Sequence, residues 1–117
     1  MPATYPPRWF PYKVVIEMLD GTQGPTGEQN QNWVPFTTAW VSIEQLMGQE
    51  RVVAQQLYAT ASCRLWMKFQ PGIMPAMRVN YTNGGMQRLF DIHAAIDSDG
   101  RRRFLQLMCT ERTEAGN

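Results

Sequence analysis

Apolar and polar residues alternate along most of this chain, the pattern of strands that bury one face and expose the other. From Ala61 to Phe69 the alternation is strict. Ala61, Cys63, Leu65, Met67 and Phe69 fall on one side, and Ser62, Arg64, Trp66 and Lys68 on the other. Thr37 to Glu44 repeats it, with Ala39, Val41 and Ile43 opposite Thr38, Trp40 and Ser42. Lys13-Val14-Val15-Ile16-Glu17-Met18-Leu19 predicts a first strand, ended by Asp20-Gly21 and followed by a polar loop to Asn32. After the break at Pro71-Gly72, Met77, Val79 and Tyr81 mark a strand that stops at Thr82-Asn83-Gly84-Gly85. That sequence predicts a hairpin turn, because asparagine and glycine tolerate positive φ. The return strand carries Phe90, Ile92, Ala94 and Ile96 on one face. Beyond the Asp97-Ser98-Asp99-Gly100 turn, Leu105, Leu107 and Cys109 alternate in a last strand.

Two stretches do not alternate. Gln45 to Thr60 mixes good helix formers with polar side chains, and Val53 and Leu57 lie four apart on one side. A short helix and a loop both fit. Met1 to Tyr12 holds four of the eight prolines, with Tyr5, Trp9, Phe10 and Tyr12 between them. Proline fixes φ and removes backbone donors, so this stretch predicts an extended arm whose aromatic residues pack on its own domain or on a neighbour. The expected chain is therefore all-β, about six mostly antiparallel strands with one loop-or-helix insertion. An arm covers 1–12, a barrel domain 13–111 with its insertion at 44–60, and a polar tail 112–117. A closed small barrel removes exposed strand edges; a two-sheet sandwich is the alternative.

Composition narrows the chemistry. At 117 residues and 44% hydrophobic content the chain can build one ordinary core. A net charge of +1 excludes a strongly basic nucleic-acid coat, though not local patches. Cys63 and Cys109 sit in apolar segments and read as buried thiols of a protein made in a reducing cytoplasm. Two cysteines and one histidine cannot complete the usual four-ligand zinc site, and no phosphate-binding glycine motif is present, so no cofactor is expected. His93 should point outward or toward a neighbour, without a nucleophile to serve. Asp97 and Asp99 flank a turn, where carboxylates bond local backbone. A catalytic role is not expected. Neither a signal peptide nor an apolar run near the roughly twenty residues of a bilayer span is present, so no membrane partner is expected. Arg101-Arg102-Arg103 could meet phosphates or a partner's carboxylates, or could be a solvated strand start in which Arg101 and Arg103 share a face. Trp40 and Trp66, on the polar faces of their strands, add to the case for protein contacts.

Three runs occur in a recognisable order. The first is Ala39-Trp40-Val41-Ser42-Ile43-Glu44-Gln45-Leu46-Met47-Gly48-Gln49-Glu50, followed by Ala54-Gln55-Gln56. The second is Phe69-Gln70-Pro71-Gly72-Ile73-Met74-Pro75-Ala76-Met77-Arg78-Val79. The third is Phe90-Asp91-Ile92 with Asp99-Gly100-Arg101 and Leu105-Gln106-Leu107-Met108-Cys109. Together, from Lys13 to Glu111, they resemble the phage head–tail joining family, the head-closure or stopper proteins of tailed bacteriophages. The chain departs from the family pattern at Glu44-Gln45, where a proline is frequent, and in an arm longer than usual.

The resemblance implies a non-enzymatic structural protein of the phage neck, made in the host bacterial cytoplasm. It implies a homo-oligomeric ring of about twelve copies, stacked between the adaptor or portal ring and a tail-completion or tail protein, around packaged double-stranded DNA. The segment matching Glu44 to Thr60 would face the channel and gate DNA, bringing Glu44, Gln45, Gln49, Glu50, Arg51, Gln55 and Gln56 to it. Such a mixed polar lining suits DNA that is held and later slides, since a dense arginine ring would grip phosphates. Tyr5, Trp9, Phe10, Tyr12, Trp40, Trp66, Arg101, Arg102 and Arg103 are the candidate contacts with neighbouring subunits or partners. Two alternatives stay open: a tail-completion ring protein, and an OB-like barrel binding nucleic acid through Trp40, Trp66 and the arginines.

Overall fold

Each alternating run forms a strand. In the computed structural model, which describes residues 6–20, 32–98 and 100–112, the elements are β1 (Tyr12–Asp20), β2 (Asn32–Gln45), α1 (Gly48–Leu57), β3 (Cys63–Lys68), β4 (Arg78–Asn83), β5 (Met86–Asp97) and β6 (Phe104–Arg112). They close into a six-stranded barrel in the order β1-β2-β3-β6-β5-β4, with every neighbouring pair antiparallel. Closure leaves no end-of-sheet strand, which decides for the barrel over the sandwich. β1 starts at Tyr12 and β6 runs to Arg112, one residue beyond each expected boundary of the barrel domain. Tyr5, residues 21–31 of the loop expected to run to Asn32, Asp99 and the tail from 113 lie outside the described residues; Asn32 begins β2.

The inward faces are the ones alternation marks. Val14 and Ile16 of β1, Val41 of β2, Cys63, Leu65 and Met67 of β3, and Val79 of β4 meet Phe90, Ile92, Leu105, Leu107 and Cys109 in one core. Leu65 pairs with Ile43 on one side and Leu107 on the other, so the layers interlock across the wall. Gly72 has φ 91, and a Cβ there would lie 2.8 Å from the Phe36 ring, so only glycine fits the turn after β3.

β5 corrects the sequence reading. Ile92 pairs with Cys109 and Ala94 with Met108, so His93 is the extra residue of a bulge. One extra residue reverses the phase of everything after it. Phe90 and Ile92 stay in the core and Ala95 packs against it, while Ala94 and Ile96 turn outward. The face expected to carry Phe90, Ile92, Ala94 and Ile96 therefore holds only as far as the bulge.

Those outward residues have a purpose. Ala94 and Ile96 join Tyr58 around a second, smaller cluster of Leu46, Ala54, Ala61 and Met108 on the outside of the barrel. The stretch that fitted either helix or loop is a helix, α1, laid across this outer wall. Backbone bonds Leu46 N–H to Ser62 O at 3.0 Å and Ser62 N–H to Cys109 O at 2.9 Å pin the two feet of the strap to each other and to β6. Ala54, not the Val53/Leu57 pair, faces the barrel; Leu57 is 73% exposed.

Candidate assembly surface and channel segment

The wall beneath α1 is built from two register rows. Glu44, Arg64, Met108 and Ala94 form one, and Ser42, Trp66, Gln106 and Ile96 the next. Alternation puts Arg64 and Trp66 on the outer face, yet both are buried, Arg64 at 6% and Trp66 at 1% exposure. This corrects the expectation for Trp66. Its indole is part of the subunit's interior and donates to Glu44 Oε1 at 3.4 Å, so it is not a surface for partners. Alternation identifies a face but not what covers it, and here the strap from Leu46 to Ala61 lies over that side of the wall. Arg64 Nη1 donates to Glu44 Oε2 at 3.2 Å and to Glu50 Oε2 at 3.0 Å.

The seven candidates of the 44–60 segment divide by role. Glu44 and Glu50 are tied to Arg64, and Gln55 Nε2 donates to the Ala61 carbonyl at 3.0 Å. Gln45, at the end of β2, is exposed. Gln49, Arg51 and Gln56 are exposed, as are Met47 and Val52. The helix thus meets the barrel through Ala54 and the Glu50–Arg64 pair and offers an amide-rich, partly apolar side outward.

The arm is laid along its own barrel. Phe10 stacks on Phe104 with centroids 6.0 Å apart, and Tyr12 meets Tyr81 edge-on at 5.3 Å. Trp9 and Trp40 project instead, 77% and 57% exposed, beside a groove also lined by Arg8, Lys68 and Phe69. The three arginines lie in the β5–β6 turn and not on a strand, so the expected pairing of Arg101 with Arg103 on one strand face does not arise. Arg102 has φ 58, and its backbone N–H donates to both oxygens of Asp97 at 3.1 and 3.2 Å. All three are exposed.

The titratable groups are structural in geometry. Cys63 and Cys109 are register partners in the core and free. Burial pushes the Cys63 thiol up to about 11 and Cys109 well above its ordinary value, so neither offers a thiolate at neutral pH. His93 Nε2 is hydrogen-bonded to Thr110 Oγ1 and lies 3.5 Å from Thr60 Oγ1. Arg88 donates to Glu111 at 2.7 and 2.9 Å and holds its carboxyl below the ordinary range. Among the described residues, no three His, Cys, Asp or Glu side chains gather where they could hold a metal, and no helix is long and apolar enough to cross a membrane.

Sequence reasoning missed Arg64 and also the pairing of Arg78 with Glu17 at 2.6 Å under the Trp33 ring. The signal for Arg64 was present: an arginine in mid-strand between apolar neighbours, with glutamates at the foot and first turn of the neighbouring insertion.

The chain matches the family model described as phage head completion protein over residues 5–112. Among solved structures the fold is similar to protein SF1141 from Shigella flexneri 2a, determined in solution, with a TM-score of 0.72 and 23% identity over 90% of this chain and 95% of that one. It is also similar to a chain from the virion of a native gene transfer agent particle, with a TM-score of 0.53 and 15% identity over 86% of this chain and 93% of that one. No curated protein sequence matches.

Proposed function

This chain belongs to the phage head completion protein family, and on that premise we propose that it is a ring subunit of the phage neck whose 44–60 segment lines and gates the DNA channel. It is a structural head-closure protein of the virion, and the barrel is its rigid frame. About twelve copies close into a ring under the adaptor or portal ring and above the tail-completion or tail protein. The protein is made in the host cytoplasm and assembles there. In this reading its work is mechanical: it retains packaged double-stranded DNA and later lets it pass, with no catalytic step.

The observation that carries the gate assignment is the construction of α1. A ten-residue helix buries only Ala54 and turns Gln49, Val52, Gln56 and Leu57 away from its own barrel. A segment so lightly committed to its subunit's core is available to neighbours and to the channel. Neutral carboxamides facing DNA exclude leakage without gripping phosphates. Trp9, Trp40 and the exposed arginines serve the contacts with adjacent copies or partner rings. An OB-like nucleic-acid surface is less well supported, because Trp66 is interior and cannot stack on bases.

Replacing Gln49–Gln56 by a glycine-rich turn tests the reading in particles. Heads carrying the variant should still attach tails but lose packaged DNA. Full DNA retention with normal tails would remove the gate from the account.

A further inference from the structure

We propose that Arg64, anchored in the wall by Glu44, is the positioning residue of the channel segment, a clamp that holds α1 to the barrel through Glu50 and frees it when that carboxylate is drawn away. The meaning of the clamp in a particle rests on the gate reading above; the clamp itself does not. The guanidinium side chain is 8% exposed, while the Glu44 and Glu50 side chains that it holds are 46% and 45% exposed. A buried cation is strongly disfavoured without counter-charge, whereas a half-exposed carboxylate keeps much of its hydration either way. The wall therefore depends on the helix's carboxylate more than the helix depends on the wall. Such a contact is firm while made and easily exchanged for another anion or for water.

Apart from Leu46, buried just before the helix, little else seats the N-terminal half of α1. Its N-cap, Met47, makes no side-chain capping bond, and Ala54 is its one buried residue. The layer beneath is incompletely satisfied: Ser42 Oγ, Arg64 Nε and Gln106 Oε1 are buried with no hydrogen-bond partner among the described residues. Ser42 and Gln106 flank Trp66 in register, so the orphaned atoms lie in and beside the row next to the clamp. A partly satisfied buried polar layer is a weak seat, and it concentrates the hold on the Arg64–Glu50 ion pair, since Glu44 belongs to β2 and anchors Arg64 within the wall. Trp66 closes the network by donating to the other oxygen of Glu44, at 3.4 Å.

The decisive experiment is amide hydrogen exchange on the purified full chain. In Arg64→Met, which keeps the side chain's bulk and removes its charge, amides of 48–57 should exchange about tenfold faster while Leu65 and Leu107 stay protected. Glu50→Gln, which leaves Arg64 paired with Glu44 and keeps the barrel whole, should give the same acceleration confined to the helix. Raising the salt concentration should speed helix exchange in the unaltered protein and much less in Glu50→Gln, a dependence that a merely space-filling Arg64 would not produce. Unchanged helix exchange in Glu50→Gln overturns the clamp, whether or not Arg64→Met folds. Particles separate the two readings. A loosened helix in a variant whose particles still retain DNA leaves the clamp standing and removes the gate.

Discussion

At the residue scale, two side chains show how local chemistry sets stability. Ala76 has φ 77 in the turn closed by Met77 N–H to Met74 O at 3.3 Å, with Pro75 before it. That is the position where a type II turn calls for glycine. The Cβ strain there exceeds the extra chain entropy of glycine, so Ala76→Gly should stabilise the protein by about 0.5–1 kcal/mol in chemical denaturation. A loss of stability would show that the Ala76 methyl packs usefully. Glu111 contributes a pH dependence. Its carboxyl is held below the ordinary range by Arg88 hydrogen bonds, so its contribution is complete above the unfolded value near about pH 4.3 and fades as pH falls through the folded value. Glu111→Gln should therefore flatten the acid side of the unfolding profile and leave the profile near pH 7 parallel to the original.

At the element scale, the strands were legible and their coverings were not. Strict alternation from Ala61 to Phe69 placed Cys63, Leu65 and Met67 correctly in the core, because pleating leaves a strand no other choice. The same alternation could not show that Arg64 and Trp66 would be roofed, since the roof comes from a segment whose own pattern is weak. Nor could it show the bulge at His93, which changes the phase of β5 through one extra residue against β6. Arg101 to Arg103 failed for a related reason, with Arg102 turning left-handed beside Asp97 where a strand start was expected. The role of α1 leads to a measurable consequence. Only Ala54 of Gln49–Gln56 is buried, so the glycine-rich replacement should lower Tm by less than about 10 °C. A larger fall would make α1 part of the essential core and unsuited to movement.

At the scale of the whole molecule, a closed barrel of this size has spent its strand edges on itself, and what remains for assembly is side-chain surface. Trp9 and Trp40 project, α1 turns apolar and amide groups outward, and the arginine turn is exposed. In the proposed assembly, a heterologous contact between two such unlike patches, repeated with a rotation that closes, would form the ring. Deleting residues 1–10 removes Trp9 and the Phe10–Phe104 stack but no strand. The shortened chain should keep its barrel by circular dichroism and fail to complete particles; an unfolded product would place the arm in the core instead. The family was legible in three ordered runs of residues, whereas the assembly contacts were not, because they belong to surfaces that one chain does not satisfy alone. The central claim is that copies of this chain ring the DNA path with α1 on the inner wall. A reconstruction of the phage neck by electron microscopy tests it most directly. The account predicts a closed ring of these barrels between the portal-side ring and the tail, with α1 nearest the axis. The chain located away from the neck, or a ring with α1 on its outer rim, would contradict it.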